Sequence, residues 1–80
     1  MNKTLIDTKV ELYPNPVKKQ LQIALLNIKV EYFEIVNIIG QVILKGTFKT
    51  SIDVSKLDNG TYMLKLYSNS SVETKRFIKN

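Results

Sequence analysis

A two-residue rhythm of apolar and polar side chains, broken off every few residues and then resumed, constrains this chain more than any other feature. In TYMLKLY, Tyr62, Leu64 and Leu66 alternate with Met63, Lys65 and Tyr67, and in QLQIAL, Leu21, Ile23 and Leu25 alternate with Gln20, Gln22 and Ala24. Successive side chains of a strand point to opposite faces, so a period of two describes a β-strand with one face buried and one wet. The same reading gives seven short strands, over 10–13, 20–25, 30–37, 42–48, 50–55, 62–67 and 72–78. A spacing of about 8–12 residues with turn residues between predicts a β-sandwich or small barrel. Composition agrees: nine Ile, seven Val and six Thr stand against a single alanine, which suits a pleated, half-buried surface. The expected core is Leu21, Ile23, Phe33, Ile35, Val42, Leu44, Ile52, Val54, Leu57, Tyr62, Leu64 and Leu66.

The breaks in the rhythm carry their own chemistry. In ELYPNPVKK, Pro14 and Pro16 around Asn15 stop the first strand, because proline fixes φ and has no N–H for a ladder; a rigid corner before the second strand is predicted. In NIIGQ, residues 37–40 suit a type I turn closed by Gly40 in the left-handed conformation. In LDNGTY, Tyr62 stands where immunoglobulin-like folds use a tyrosine hydroxyl to bond main chain a few residues upstream. The apolar pair Phe77 and Ile78 predicts a bulge or a half-exposed end in the last strand. The fold class is therefore all-β, an immunoglobulin-like antiparallel sandwich, and the lack of cysteine and tryptophan sets it apart from antibody domains.

Eighty residues make one domain, which buries only roughly 60–65% of the surface its unfolded form exposes. Without cysteine, its stability comes from packing alone. The absence of both histidine and cysteine removes Ser-His-Asp and Cys-His nucleophilic sites and zinc sites with nitrogen or sulfur ligands. Asp53, Asp58 and Asn59 offer oxygens near one turn, but without the dense acidic spacing of a calcium loop, and turn formation accounts for them. A non-catalytic domain without cofactor is expected. Glycosylation-type triplets at Asn2, Asn59 and Asn69 are what a chain rich in Asn, Ser and Thr produces by chance. The net charge is +5, from twelve basic and seven acidic side chains, with no basic run longer than two residues. Such a spread fits solubility and protection of strand edges better than a nucleic-acid or glycolipid patch. Lys65 with Tyr67, and Phe77 between Arg76 and Lys79, approach an aromatic–basic binding face only weakly, so no nucleic-acid partner is expected. No apolar run approaches the roughly 20 residues of a membrane span, and MNKTLIDTKVE lacks the apolar stretch of an export signal, which an upstream segment would have to supply.

Taken in order and spacing, LYPNPVKKQLQI, VNIIGQVIL, IDVSKLDNGTYMLKLYS and TKRFIKN resemble the type A C-terminal sorting domain of the type IX (Por) secretion system, over residues 10–80. The resemblance implies an immunoglobulin-like sandwich at the end of a large cargo protein of a Gram-negative bacterium. It implies passage through the periplasm and recognition of the folded domain by the type IX translocon. The resemblance further implies that a surface cysteine peptidase usually removes the domain, with cargo released or attached at the cell surface. Residues 1–9 are then a linker preceding the domain, in a chain excised from a longer protein.

Carried over by residue, Pro14, Asn15 and Pro16, followed by Leu21 and Ile23, match the first family motif; Gly40 and Gln41 match the middle one; Gly60, Tyr62, Lys75, Phe77, Ile78 and Lys79 match the last. Lys19 departs from the small polar or acidic residue common in the family. The closing residues, Lys79 above all, have no evident core role in the sequence. They are expected to be exposed, frayed and read directly by the export machinery. Two rivals share parts of this reading. An immunoglobulin-like adhesion or carbohydrate-binding accessory module has the same fold but need not be last in its parent chain. A five-stranded nucleic-acid-binding barrel predicts steep salt dependence of binding.

Overall fold

The computed structural model describes residues 9–80. Seven strands follow in order: β1 (Lys9–Tyr13), β2 (Gln20–Leu26), β3 (Tyr32–Asn37), β4 (Val42–Thr47), β5 (Ser51–Asp53), β6 (Gly60–Tyr67) and β7 (Val72–Lys79). The linker expected over 1–9 and the Asn2 triplet lie outside the described residues, except for Lys9, which opens β1. One sheet has the order β1-β2-β5 and the other β4-β3-β6-β7, and every pairing within them is antiparallel. The chain lays two strands in one sheet, crosses for two, returns for one and crosses again. This is the three-plus-four order of an immunoglobulin-like sandwich.

The alternation fills the space between the sheets as its period requires. Leu21 and Ile23 of β2, Phe33 and Ile35 of β3, Ile52 of β5, Val54, and Tyr62, Leu64 and Leu66 of β6 are all buried, with Leu44 and Leu57 half-buried against them. Leu64 is fully buried, so truncating it to alanine costs about 2–5 kcal/mol. On the outer face, Tyr32 and Tyr67 sit opposite each other across β3 and β6, their rings stacked at 4.6 Å, and the Tyr67 hydroxyl donates to Glu34 Oε1 at 2.8 Å.

The expected turn at 37–40 forms. Gly40 N–H donates to the Asn37 carbonyl at 3.0 Å, and Gly40 adopts φ +87°, a conformation that side chains with a β-carbon rarely take. The corner tyrosine also forms, its hydroxyl donating to the Asp58 carbonyl at 2.7 Å.

Three expectations are corrected, and one with two alternatives is resolved. Val42 is 48% exposed rather than core. Along β3–β4 the register runs Ile35↔Leu44 and then Val36↔Val42. Ile43 is thus an extra residue, a bulge that turns the start of β4 over and sends Val42 to the outer face beside Val36. Of the two forms expected for the last strand, the half-exposed end is the one present: pairing with β6 runs unbroken from Tyr67↔Val72 to Gly60↔Lys79, so there is no bulge, Phe77 points inward and Ile78, 42% exposed, points out. Lys79 is neither exposed nor frayed; it is 6% exposed and takes part in a second pairing described below. Finally, Val10, Val17, Val30 and Phe77 belong to the core cluster although they were not expected there. Val17 and Phe77 are both completely buried.

Candidate functional site

The corner after β1 takes the chain from one sheet to the other. Both X–Pro bonds of the Tyr13-Pro14-Asn15-Pro16 segment are cis, and beyond them Val17 reaches the edge of β7, where it forms a parallel bridge with Lys79. Val17 N–H donates to the Ile78 carbonyl at 2.8 Å, and Asn80 N–H donates to the Val17 carbonyl at 2.9 Å. The Asn15 side chain adds a third tie, its Oδ1 accepting from Ile78 N–H at 2.9 Å. Segments more than sixty positions apart in sequence are thus joined by three hydrogen bonds. Proline suits this crossing because a segment leaving one sheet edge for another has no ladder partners for its own N–H groups.

The other motifs arrive at the same end of the sandwich. Antiparallel pairing places the end of β7 beside the start of β6, with Gly60 opposite Lys79 and Tyr62 opposite Phe77. The Tyr62 and Phe77 rings pack at 5.7 Å. Tyr62 pairs on its other side with Asn37, the last residue of β3. That asparagine organises the turn carrying Gly40 and Gln41: its Oδ1 accepts from the N–H groups of Ile39 and Gln41, at 3.1 and 2.9 Å, and its Nδ2 donates to Gln41 Oε1 at 2.8 Å. The last candidate glycine, Gly60, has φ +156°. A shallow hollow of about 270 Å³ opens between Asn37, Ile38 and the 59–62 segment.

Pro14, Asn15, Pro16, Gly40, Gln41, Gly60, Tyr62, Phe77, Ile78 and Lys79 therefore gather at one pole. Lys75 does not. It pairs with Leu64, four residues and about 13 Å up the strand. The pole lies opposite the end at which Lys9 enters the fold, since Lys9 pairs with Leu26 at the far end of β2.

Apart from the half-buried Gly60, the gathered residues divide into two kinds. Tyr62, Phe77 and Lys79 are buried and hold the pole together; the Lys79 ammonium reaches the main-chain oxygen of Asn80 at 3.4 Å while its methylene stem is covered. The surface of the pole is instead formed by Pro14, Asn15, Pro16, Gly40, Gln41 and Ile78, all exposed. It also includes three residues that the sequence motifs did not single out, Tyr13 at 52%, Ile38 at 78% and Ile39 at 74% exposed. Their signal was present, two adjacent isoleucines in a turn where polar residues belong. Val17 was missed for the opposite reason: one apolar residue between Pro16 and two lysines reads as loop.

Two comparisons bear on what such a domain is. No curated protein matches the chain. The family model described as "Secretion system C-terminal sorting domain" matches residues 11–80, nearly the whole chain and all of the strands except the first two residues of β1. That family consists of sorting signals rather than catalysts, and its cargo is exported to the cell surface or secreted. The chain belongs to the secretion system C-terminal sorting domain family, and it is a C-terminal sorting signal of type IX secretion.

Proposed function

We propose that the type IX translocon reads the exposed surface of the motif pole, and that the buried motif residues serve it by holding that surface in shape. The observation that carries this is the three-bond tie between Asn15, Val17 and the end of β7. It makes the surface a property of the folded sandwich and absent from any linear segment. The pole also faces away from the entry of the chain at Lys9, which leaves it accessible with a cargo domain attached upstream. On this reading the domain has no catalytic role and no cofactor, and acts in the periplasm on a folded cargo. A surface cysteine peptidase then cuts upstream of Lys9, away from the pole.

The test is a periplasm-targeted reporter fused to the 80-residue chain in a bacterium carrying the type IX machine. Ile38→Ser with Ile39→Ser, and separately Ile78→Ser, alter only exposed side chains. Each is expected to leave the melting temperature of the purified domain within a few degrees and to trap the reporter in the periplasm. Full export of both variants would refute the assignment of the pole. Deleting residues 77–80 is not a clean test, because it removes the fully buried Phe77 and is expected to unfold the domain along with any signal.

A further inference from the structure

The sandwich is open along the side formed by β4 and β5. Each is the outer strand of its sheet, so no strand among the described residues pairs with the far edge of either. β4 bonds to β3 through alternate residues, a pattern anchored by Phe48 N–H donating to the Glu31 carbonyl at 3.0 Å. The N–H and C=O groups of Lys45 and Thr47 therefore face away from β3, toward solvent. Beside this edge, two open hollows of about 510 and about 410 Å³ adjoin at Leu44 and Asp53.

Their floor is apolar, made by Phe33, Leu44, Phe48, Ile52 and Leu57. Phe33 and Ile52 are core residues, so the groove reaches the interior of the sandwich. Gly46 has no side chain to roof the Phe33 ring, which a β-carbon there would meet at 3.5 Å. Around the rim stand Lys45, Lys49 and Lys56 against two acids: Asp53, whose Oδ1 already accepts from Ser55 N–H at 2.9 Å, and Glu34, opposite Lys45 across the ladder, which accepts from the Tyr67 hydroxyl. Among the described residues the one ion pair joins Lys9 and Glu11, elsewhere on the surface.

Unpaired main-chain donors and acceptors beside an apolar trough are the elements of strand addition, in which the ladder supplies affinity and alternate side chains fill the floor. We propose that the β4–β5 side is an acceptor groove for an extended segment of another protein, in which apolar residues alternate with Asp or Glu. The rim argues against a second copy of this chain as the occupant, since two copies would bring like-charged lysines together on chains of net charge +5. The proposal stands apart from the sorting role: it is read by binding to the purified chain and not by export.

The probe is a capped ten-residue peptide of alternating valine and glutamate, titrated into the ¹⁵N-labelled 80-residue chain beside a valine–lysine peptide of equal length. The glutamate peptide is expected to bind saturably and to slow hydrogen exchange at the Lys45 and Thr47 N–H groups. The lysine peptide is expected not to bind. Lys45→Glu with Lys49→Glu and Lys56→Glu should weaken binding by about tenfold or more, and Thr47→Pro should do the same by removing an outward donor. Melting curves establish that each variant is folded, and should the proline variant not fold, the charge variant decides alone. Equal binding of both peptides, protection confined to other strands, or no binding at all would overturn the proposal. So would protection of β4 that grows with protein concentration in the absence of peptide, which would make the occupant a second copy.

Discussion

Phe77 and Ile78 are neighbours in the closing string TKRFIKN, yet one is fully buried and the other 42% exposed. They should therefore fail in different ways. Phe77 packs its ring against Tyr62 at 5.7 Å within the core cluster, and replacing such a residue by alanine costs about 3–5 kcal/mol. At roughly 0.05–0.15 kcal/mol per residue, a chain of 80 residues has about 4–12 kcal/mol in total, so Phe77→Ala removes a large share of it. For a domain of this size the loss corresponds to a fall in Tm of about 12–40 °C. Phe77→Leu keeps an apolar side chain in place and should remain folded at growth temperature. Urea unfolding followed by circular dichroism gives the stabilities, and the reporter assay gives export. Phe77→Leu should export as the parent chain does, whereas Ile78→Ser, equally stable, should not. If Phe77→Leu is folded but not exported, Phe77 is read directly and the division between buried support and exposed signal is wrong. If Phe77→Ala melts with the parent chain, the packing of β7 described here is wrong.

Tyr62→Phe removes the bond to the Asp58 carbonyl and is expected to destabilise by about 0.5–1.5 kcal/mol in urea titrations; coincident midpoints would count against the corner staple. At Gly40 a β-carbon meets no atom within 4 Å, so crowding is not at issue. The φ of +87° alone should make Gly40→Ala cost about 1–2 kcal/mol, measured the same way. Hydrogen bonds from the Ser55 side chain and backbone N–H, in that order, hold the Asp53 carboxyl below its ordinary value of 3.8. A lowered carboxylate contributes stability above its unfolded value and loses it as pH falls through its folded value. Melting temperatures measured from neutral pH downward should therefore fall less steeply at the acid end in Asp53→Asn than in the parent chain.

The period-two alternation determined the inner faces of β2, β3, β5 and β6, because the side chains that set it are separated by two residues on one strand and need no distant partner to declare which way they point. Turn chemistry was equally local. Asn37 to Gly40 and the Tyr62 hydroxyl with Asp58 each close within four residues, and both were legible. The family, too, was legible, since its motifs are linear strings. What the sequence alone did not determine is which edges meet. Val17 looks like loop and Lys79 like a frayed end until the crossing after β1 lays one beside the other, and burial then follows from a pairing that spans most of the chain. The same holds for Val42, whose side depends on where β4 takes up its extra residue opposite β3. A strand's own pattern fixes which side chains share a face, but a bulge or a second partner is set by the neighbouring backbone. The pole that gathers the motifs exists only because three separate edge pairings place β3, β6, β7 and the segment after β1 at one end of the sandwich.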